Sequence, residues 1–293
     1  MSATLETPLP NLRNRHGQGA LWHARTGQLY WVDTAGHTVH ALEPATGRTR
    51  TALVGEPVGT VVPTRRAEVL VARHRDLAFL DFAHGRLTPF PVEPPLPADQ
   101  RFNDGKCDAD GRLWVGSMNE EGSPGDGCLW CLDATLRAEV RRTGLTAPAG
   151  IAWSPDGLTL FHVDSIARRV EALAFSPGDG ALGPPRTLRE FAVADGTPAG
   201  AATDAEGHLW IALRDGWRVV RIDSTTGATL AEIPLPVQRP TACAFGGAAL
   251  DTLYITSARD GLTYAELDRQ PLAGTLFATK PGATGIPAHE FAV

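Results

Sequence analysis

The stretch Gly111-Arg-Leu-Trp-Val-Gly116 has a turn residue, then apolar and aromatic side chains, then a small residue, and it decides the fold because its pattern recurs. Five other segments repeat it: Gly27-Gln-Leu-Tyr-Trp-Val-Asp33, Glu68-Val-Leu-Val-Ala72, Leu158-Thr-Leu-Phe-His-Val-Asp164, Gly207-His-Leu-Trp-Ile-Ala212 and Asp251-Thr-Leu-Tyr-Ile-Thr256. Successive anchors are 40, 44, 47, 49 and 44 residues apart, counted on Leu29, Val69, Leu113, Leu160, Leu209 and Leu253. This period is typical of four-stranded propeller blades.

The same order of strands and turns is found within each unit. An apolar strand such as Gly150-Ile-Ala-Trp153 precedes a hairpin turn, the anchor strand follows, and a more polar strand such as Arg169-Val-Glu-Ala-Leu173 comes next. Helical periodicity is nearly absent, and the 23 prolines and 31 glycines fall mostly between strands. The sequence therefore predicts an all-β fold, a six-bladed β-propeller of four-stranded antiparallel blades that forms one domain over residues 1–293.

Composition narrows the classes of partner. With 43% hydrophobic and 20% charged residues the chain is globular, and its 27 basic and 33 acidic residues leave a net charge of −6. Such a balance offers no basic surface for nucleic acid or for an anionic membrane. The first ten residues include Glu6 and two prolines instead of an apolar leader, and no apolar run of about 18 residues occurs. We expect a cytoplasmic protein with neither a nucleic-acid nor a membrane partner.

The blade topology predicts where a site lies. In an antiparallel blade, the start of the first strand and the end of the second share one face of the propeller. The polar candidates at the starts of first strands are His16, Gln18, Arg101 and Asn103, and those at the ends of second strands are His74, His162, Asp164 and Arg214.

Two roles are open for His162 and Asp164. His162 is either a general acid or base, since imidazole titrates near neutrality, or a hydrogen-bonded residue between blades. Asp164 either orients that imidazole or stabilises a turn, as the similar ending Val32-Asp33 indicates. We predict the catalytic role for both.

The other candidates are predicted to bind substrate. His16 lies two residues before Gln18, so both side chains point the same way in an extended chain, unless His16 belongs to a solvated loop. His74 lies in a charged cluster that either lines the pocket or remains at the surface. Arg214 is either an anion clamp or the partner of a surface acid such as Asp215.

Four longer stretches carry a resemblance to a known family: Arg101-Phe-Asn-Asp-Gly-Lys-Cys-Asp-Ala-Asp-Gly-Arg-Leu-Trp-Val-Gly-Ser-Met118, Gly144-Leu-Thr-Ala-Pro-Ala-Gly-Ile-Ala-Trp-Ser-Pro-Asp-Gly157, Asp204-Ala-Glu-Gly-His-Leu-Trp210 and Arg239-Pro-Thr-Ala-Cys-Ala-Phe245. Over essentially its whole length the chain resembles the gluconolactonase, regucalcin (senescence marker protein) and luciferin-regenerating-enzyme family. The resemblance implies a six-bladed propeller that hydrolyses sugar lactones with one divalent metal in its central tunnel. It also implies that Arg101 and Asn103 hold substrate oxygens.

The chain departs from the family at the metal ligands. The family's Glu in Gly-Glu-x-Pro, Asn in Pro-Asn-Gly and Asp in Pro-Asp-Gly correspond here to Gln18, Ala149 and Ala199. A hard cation needs several oxygen ligands and gains affinity from their charge. We therefore predict an altered metal site with no metal and no cofactor, the alternative being one divalent cation such as calcium or zinc.

Three functions are consistent with these residues, all with a small-molecule partner. The first is a lactonase-like hydrolase of sugar lactones or related cyclic esters that acts without the family's metal, with a histidine as base. The second is a metal-independent isomerase, cyclase or lyase on the same scaffold. The third is a small-molecule-binding protein without turnover. The fold alone does not choose among them.

Overall fold

In the computed structural model, which describes residues 4–92 and 94–293, six antiparallel sheets follow one another along the chain. The first strand of each sheet contacts the first strands of its two neighbours, so that six inner strands form a closed ring. The predicted all-β, six-bladed β-propeller is confirmed.

The strands of the first three blades are as follows. Blade 1 contains β1 (Gly17–His23), β2 (Gln28–Asp33), β3 (Thr38–Glu43) and β4 (Arg48–Leu53). Blade 2 contains β5 (Val58–Pro63), β6 (Val69–Arg73), β7 (Leu77–Asp81) and β8 (Arg86–Pro89). Blade 3 contains β9 (Gln100–Cys107), β10 (Leu113–Asn119), β11 (Gly127–Leu132) and β12 (Ala138–Leu145).

The other three blades vary more at their outer edges. Blade 4 contains β13 (Pro148–Trp153), β14 (Thr159–Asp164), β15 (Arg169–Ser176), the short β16 (Ala181–Leu182) and β17 (Arg186–Glu190). Blade 5 contains β18 (Thr197–Thr203), β19 (Leu209–Arg214), β20 (Arg218–Ile222) and β21 (Thr229–Pro234). Blade 6 contains β22 (Pro240–Gly246), β23 (Thr252–Ser257) and β24 (Phe277–Thr279).

Blade 6 is completed by the beginning of the chain. Glu6 pairs with Ala278 of β24 through two backbone hydrogen bonds of 2.8 and 2.9 Å. The only α-helix of the described residues, α1 (Tyr264–Arg269), begins at the N-cap Thr263, and a 3-10 turn covers Val193–Asp195. Among residues 4–92 and 94–293, no helix is long and apolar enough to cross a membrane.

The repeated aromatic pattern has a structural cause. The six anchor residues all lie in the second strand of their blade and are at most 3% exposed. In blades 3 and 5 an aspartate before the strand stabilises the turn: Asp108 accepts the indole N–H of Trp114 at 2.7 Å, and Asp204 accepts that of Trp210 at 2.8 Å. Each tryptophan thus satisfies its one polar atom while its rings fill the space between blades.

Bulges and glycines shape the inner ring. In each blade the pairing between first and second strand shifts register near the start of the first strand, as between Gln18 and Leu21. Such bulges redirect side chains. At Gly59 a Cβ atom would lie 2.3 Å from the Asn103 carbonyl oxygen, and at Gly150 it would lie 2.6 Å from that of Ala199. The inner strands therefore approach closely and leave only a narrow central tunnel.

Candidate active site

A cavity of about 520 Å³ lies at the end of the tunnel where first strands begin and second strands end, and we call it the upper cavity. Its wall includes all six residues predicted to bind substrate: His16, Gln18, His74, Arg101, Asn103 and Arg214. The structure thus brings these residues together, and their role in binding remains a prediction.

His16 forms a hydrogen-bonded pair with Asp260. Its Nδ1 lies 3.0 Å from Oδ2 of Asp260, and the side chains of His16 and Asp260 are 22% and 32% exposed. Burial acts to raise the pKa of Asp260, but the hydrogen bond and charge of His16, with Arg214 and Arg239, outweigh it and lower the pKa. A carboxylate accepts hydrogen bonds, so Nδ1 of His16 is the donor in this contact and Nε2 is left free of it.

The backbone also holds His16 in place. The amide N–H groups of Arg15 and His16 both donate to the carboxylate of Asp33, at 2.7 and 2.8 Å. This carboxylate also accepts the amide N–H of Gly36 at 2.9 Å. The segment that carries His16 is thus held at the end of β2 by hydrogen bonds. A solvated loop, the alternative considered for His16, describes this position less well.

A second imidazole and carboxylate meet on the same wall. His74 Nε2 lies 2.7 Å from Oε1 of Glu120, and the glutamate is the more exposed partner. Arg101 lies close to this pair: burial lowers the pKa of its guanidinium, and the charge of Glu120 opposes the shift. His74 is therefore part of the cavity wall, where its charged neighbours make a hydrophilic rim.

Two guanidinium groups in the upper cavity have unused donors. Arg101 donates from Nη1 to the Phe102 carbonyl oxygen at 3.1 Å and to Asn103 Oδ1 at 3.4 Å. The Nε of Arg214 is buried, with no hydrogen-bond partner within residues 4–92 and 94–293. The predicted alternative partner of Arg214, Asp215, pairs with Arg239 at 2.8 Å instead. Planar guanidinium donors without a carboxylate partner are suited to bind an anion.

Below these residues the cavity is closed by Asp104, which is 6% exposed. Burial raises the pKa of its carboxyl, and Lys106 and the Gly105 amide N–H oppose that shift. The stretch Asn103-Asp104-Gly105-Lys106 lies inside β9, so Asp104 is held by the strand at the bottom of the upper cavity.

The prediction that His162 reaches the cavity is wrong. His162 is 0% exposed, lies inside β14 between Ile151 and Glu171 of the adjoining strands, and is absent from the cavity wall. Neither ring nitrogen has a hydrogen-bond partner among the residues that the structure describes. Burial, reinforced by the charge of Arg142, lowers the pKa of the imidazole to about 3, so the ring is neutral. A general acid or base in this position has no access to a ligand.

Asp164 has the structural role that the sequence left open. Its carboxylate is 0% exposed and accepts the backbone N–H groups of Thr146 at 2.8 Å, Ala147 at 3.0 Å and Ala167 at 3.2 Å. These contacts repeat those of Asp33 at the end of β2. The prediction that Asp164 orients a catalytic histidine is therefore corrected: it anchors the start of blade 4.

The three positions that resemble family metal ligands provide few oxygen donors. Ala149 and Ala199 line the upper cavity with methyl groups, and the Nε2 of Gln18 donates to the Gly59 carbonyl oxygen at 2.7 Å, which leaves one neutral oxygen. Within residues 4–92 and 94–293, no group of three or more His, Cys, Asp or Glu residues is placed to hold a metal. This donor set does not fit a hard cation.

Sequence reasoning missed the acidic partners. Glu120 follows the last residue of β10, and Asp260 lies in the loop after β23. The signal available in the sequence was the position of both acids just beyond the ends of second strands. Their histidine partners could not be predicted, because Glu120 and His74 are 46 residues apart in the chain, and Asp260 and His16 are 244 residues apart.

The fold and this cavity define a class of protein: a six-bladed propeller with a polar cavity at one end of its central tunnel. Comparison with known proteins identifies the family. Residues 16–259 match the model of the SMP-30/Gluconolactonase/LRE-like region. The chain therefore belongs to the SMP-30, gluconolactonase and luciferin-regenerating-enzyme family.

Individual relatives align with this chain over nearly its full length. The chain is 37% identical to 6-deoxy-6-sulfogluconolactonase of Pseudomonas putida over 278 residues, and 33% identical to regucalcin of Gallus gallus over 288 residues; these alignments cover 94% and 96% of both proteins. Among solved structures, a luciferin-regenerating enzyme superposes with a TM-score of 0.90 at 27% identity and covers 100% of both chains. Relatives named as lactonases support a hydrolase-like enzyme.

Proposed function

We propose that this protein hydrolyses an anionic sugar lactone in the upper cavity, without a resident metal ion. One observation carries the proposal: the His16–Asp260 pair shares a cavity with Arg101 and Arg214. The guanidinium groups of these two arginines have N–H donors that are not used in hydrogen bonds among the described residues. The family supports the lactone, and the sulfonated substrate in the name of the Pseudomonas putida relative supports the anion. The poor set of oxygen donors supports chemistry without a metal.

Each group has a role in this reaction. Nε2 of His16 takes a proton from water, and the water oxygen bonds to the lactone carbonyl carbon. Arg101 stabilises the negative charge that develops on the carbonyl oxygen. The ring C–O bond then breaks, and the ring oxygen takes the proton back from His16. The net change is addition of one water to give a hydroxy acid.

Asp260 and Arg214 act beside the reacting atoms. Asp260 keeps the His16 proton on Nδ1 and stabilises the imidazolium that forms during water attack. Arg214 binds the carboxylate or sulfonate of the substrate through charge-assisted hydrogen bonds. An anionic group bound there holds the lactone carbonyl near His16 and Arg101.

The test compares an acidic with a neutral lactone on chelator-treated protein. We expect hydrolysis of glucaro-1,4-lactone or 6-deoxy-6-sulfogluconolactone with at least tenfold higher kcat/KM than that of glucono-1,5-lactone. Arg214→Met removes this preference, whereas Arg86→Met, which changes an exposed arginine of β8, preserves it. Loss of all activity on chelation, with recovery on adding a divalent ion, would contradict the metal-independent mechanism, and equal rates on acidic and neutral lactones would contradict the anion site.

A further inference from the structure

A second cavity, of about 460 Å³, lies at the other end of the tunnel. It is bounded by the ends of the inner strands and by the segment 286–289 near the end of the chain, and we call it the lower cavity. Between the two cavities Gly105, Gly200 and Ala242 line a waist with no volume for a water molecule. The lower cavity is therefore a compartment distinct from the upper cavity, and its size lies in the range of small-molecule sites.

The wall of the lower cavity is mainly aromatic and apolar. Four aromatic side chains from blades 1, 4 and 6 contribute, together with prolines and other apolar residues: Trp22, Trp153, Phe175, Phe245, Pro155, Pro177, Ile286 and Ala288. Trp153 meets Phe175 edge-on with ring centroids 5.9 Å apart, which fixes both ring planes. Rigid aromatic walls favour a flat apolar ligand.

Three polar groups on this wall have unused hydrogen-bonding capacity. Lys106 donates to the Ala201 carbonyl oxygen at 2.5 Å, which leaves two ammonium N–H groups. Thr203 is 5% exposed and Trp153 is 9% exposed. The Oγ1 of Thr203 and the Nε1 of Trp153 are buried and have no hydrogen-bond partner in the described part of the chain. Buried polar atoms in native proteins are normally hydrogen-bonded. The unpaired hydrogen-bond donors of these three residues indicate a ligand that carries acceptor oxygens.

The acids on the lower cavity wall are engaged elsewhere. Asp110 pairs with Arg112 at 3.1 Å, and Asp156 accepts the Ser154 hydroxyl at 2.5 Å and the Leu158 amide N–H at 3.0 Å. Among the described residues, neither of these acids is therefore paired with Lys106, whose side chain also lines the lower cavity. Burial lowers the pKa of Lys106, with Asp104 opposing the shift, so that a bound anion replaces solvation that the ammonium lacks.

We propose that the lower cavity is a second binding site, which takes a small aromatic monocarboxylate with its carboxylate on Lys106 and its ring among Trp153, Phe175 and Phe245. Nothing in this assignment depends on the proposed function of the upper cavity. Thr203 and Trp153 lie on the same wall as Lys106 and supply further donors for the carboxylate oxygens.

Isothermal titration with 2-naphthoate and with the neutral analogue 2-naphthylmethanol tests the site. We expect the wild type to bind 2-naphthoate at least tenfold more tightly than the alcohol, and Lys106→Met to lose this preference while it still binds the alcohol. The matched control is Lys280→Met, which removes the chain's other lysine, exposed and paired with Asp251. It should bind both ligands as the wild type does.

Two further variants keep the test decisive. Ala109→Trp adds a large side chain at an exposed position on the lower rim and should weaken 2-naphthoate binding at least tenfold, even if Lys106→Met fails to fold. Arg101→Ala changes only the upper cavity and should leave that binding unchanged. The proposal is overturned if the wild type does not bind 2-naphthoate, if Ala109→Trp binds it normally, or if Arg101→Ala abolishes binding.

Discussion

Two sets of a histidine and an aspartate differ in their surroundings: His16 with Asp260 at the rim of blade 1, and His162 with Asp164 in blade 4. At the rim, the imidazole touches its carboxylate at 3.0 Å and lines the upper cavity. Inside blade 4, the imidazole has no hydrogen-bond partner and the carboxylate is bound by three backbone N–H groups. Residue types alone do not make a catalytic pair, because access and geometry decide their chemistry.

The two regions also differ in what stabilises them. A neutral imidazole buried without partners costs free energy, since its polar nitrogens are desolvated. The pair at the rim keeps contact with solvent and with neighbouring charges. We therefore expect substitutions at the rim to change activity and substitutions inside blade 4 to change stability, and the predictions below test this division.

The largest effect is expected for His16→Asn. Loss of the general base should lower kcat by about 10² to 10⁴, the usual contribution of such a group. His162→Leu should keep the kcat of the wild type per folded molecule. The matched control is His84→Asn, because His84 forms the same kind of pair with Asp81 at 2.7 Å on an exposed surface. Equal kcat values for His16→Asn and the wild type would remove His16 from the reaction.

Asp164 and Asp260 should differ in the same way, the first contributing to stability and the second to activity. Asp164→Asn weakens three hydrogen bonds from backbone N–H groups to a buried carboxylate. It should lower the free energy of unfolding by about 3 kcal/mol, given about 1.5 to 3 kcal/mol for a hydrogen bond to a charged group. Asp260→Asn should instead lower kcat, with little effect on stability. Urea unfolding and steady-state kinetics on both variants measure the contrast, which fails if Asp164→Asn is as stable as the wild type.

Restoring the family's ligands tests the metal-independent interpretation of the upper cavity. The triple variant Gln18→Glu, Ala149→Asn and Ala199→Asp places two carboxylates and an amide on one cavity wall. Such ligands suit calcium, and binding at a hundredfold excess over Kd should stabilise the folded state by about 2.7 kcal/mol. The wild type should show no comparable rise in Tm with calcium. Identical responses of the two proteins would contradict the assignment of these positions.

The smallest effect concerns the pH dependence of stability. The pKa of His162 is about 3 in the folded protein and about 6.5 when the chain is unfolded. As the pH falls, the unfolded state therefore binds a proton before the folded state does. The stability that this residue contributes is complete above pH 6.5 and is lost as the pH falls towards 3. Between pH 7.5 and 5 the loss is about 2 kcal/mol, from about 1.4 kcal/mol for each pH unit below 6.5.

His162→Leu should reduce that loss by about the same 2 kcal/mol, as measured by urea unfolding at the two pH values. Part of the acid sensitivity should remain, because burial, opposed by the charge of Asp33, also lowers the pKa of His40 to about 4. The stability of the double variant His40→Leu/His162→Leu should therefore depend even less on pH. A wild-type pH dependence that His162→Leu leaves intact would mean that His162 is protonated in the folded protein.

The sequence by itself determined the blades and the face of the site. Each repeat carries its own anchor and turn residues, and each blade is a local hairpin structure, so the periodicity alone predicts the number of blades. The rule that first strands begin where second strands end placed six predicted binding residues in one cavity. These inferences succeeded because they depend on strand direction, which the local hairpins of each blade set in the same way.

Only the tertiary structure decided which groups meet and which are buried. His162 lies two residues before the end of β14, which places it about 7 Å below the rim at about 3.3 Å for each residue. Asp260 reaches His16 across 244 residues because ring closure brings blade 6 beside blade 1. The lower cavity likewise needs the segment 286–289, which lies outside the repeats and closes over the ends of the inner strands. Loops and chain ends follow no period, so their partners are set by the closed ring and not by local sequence.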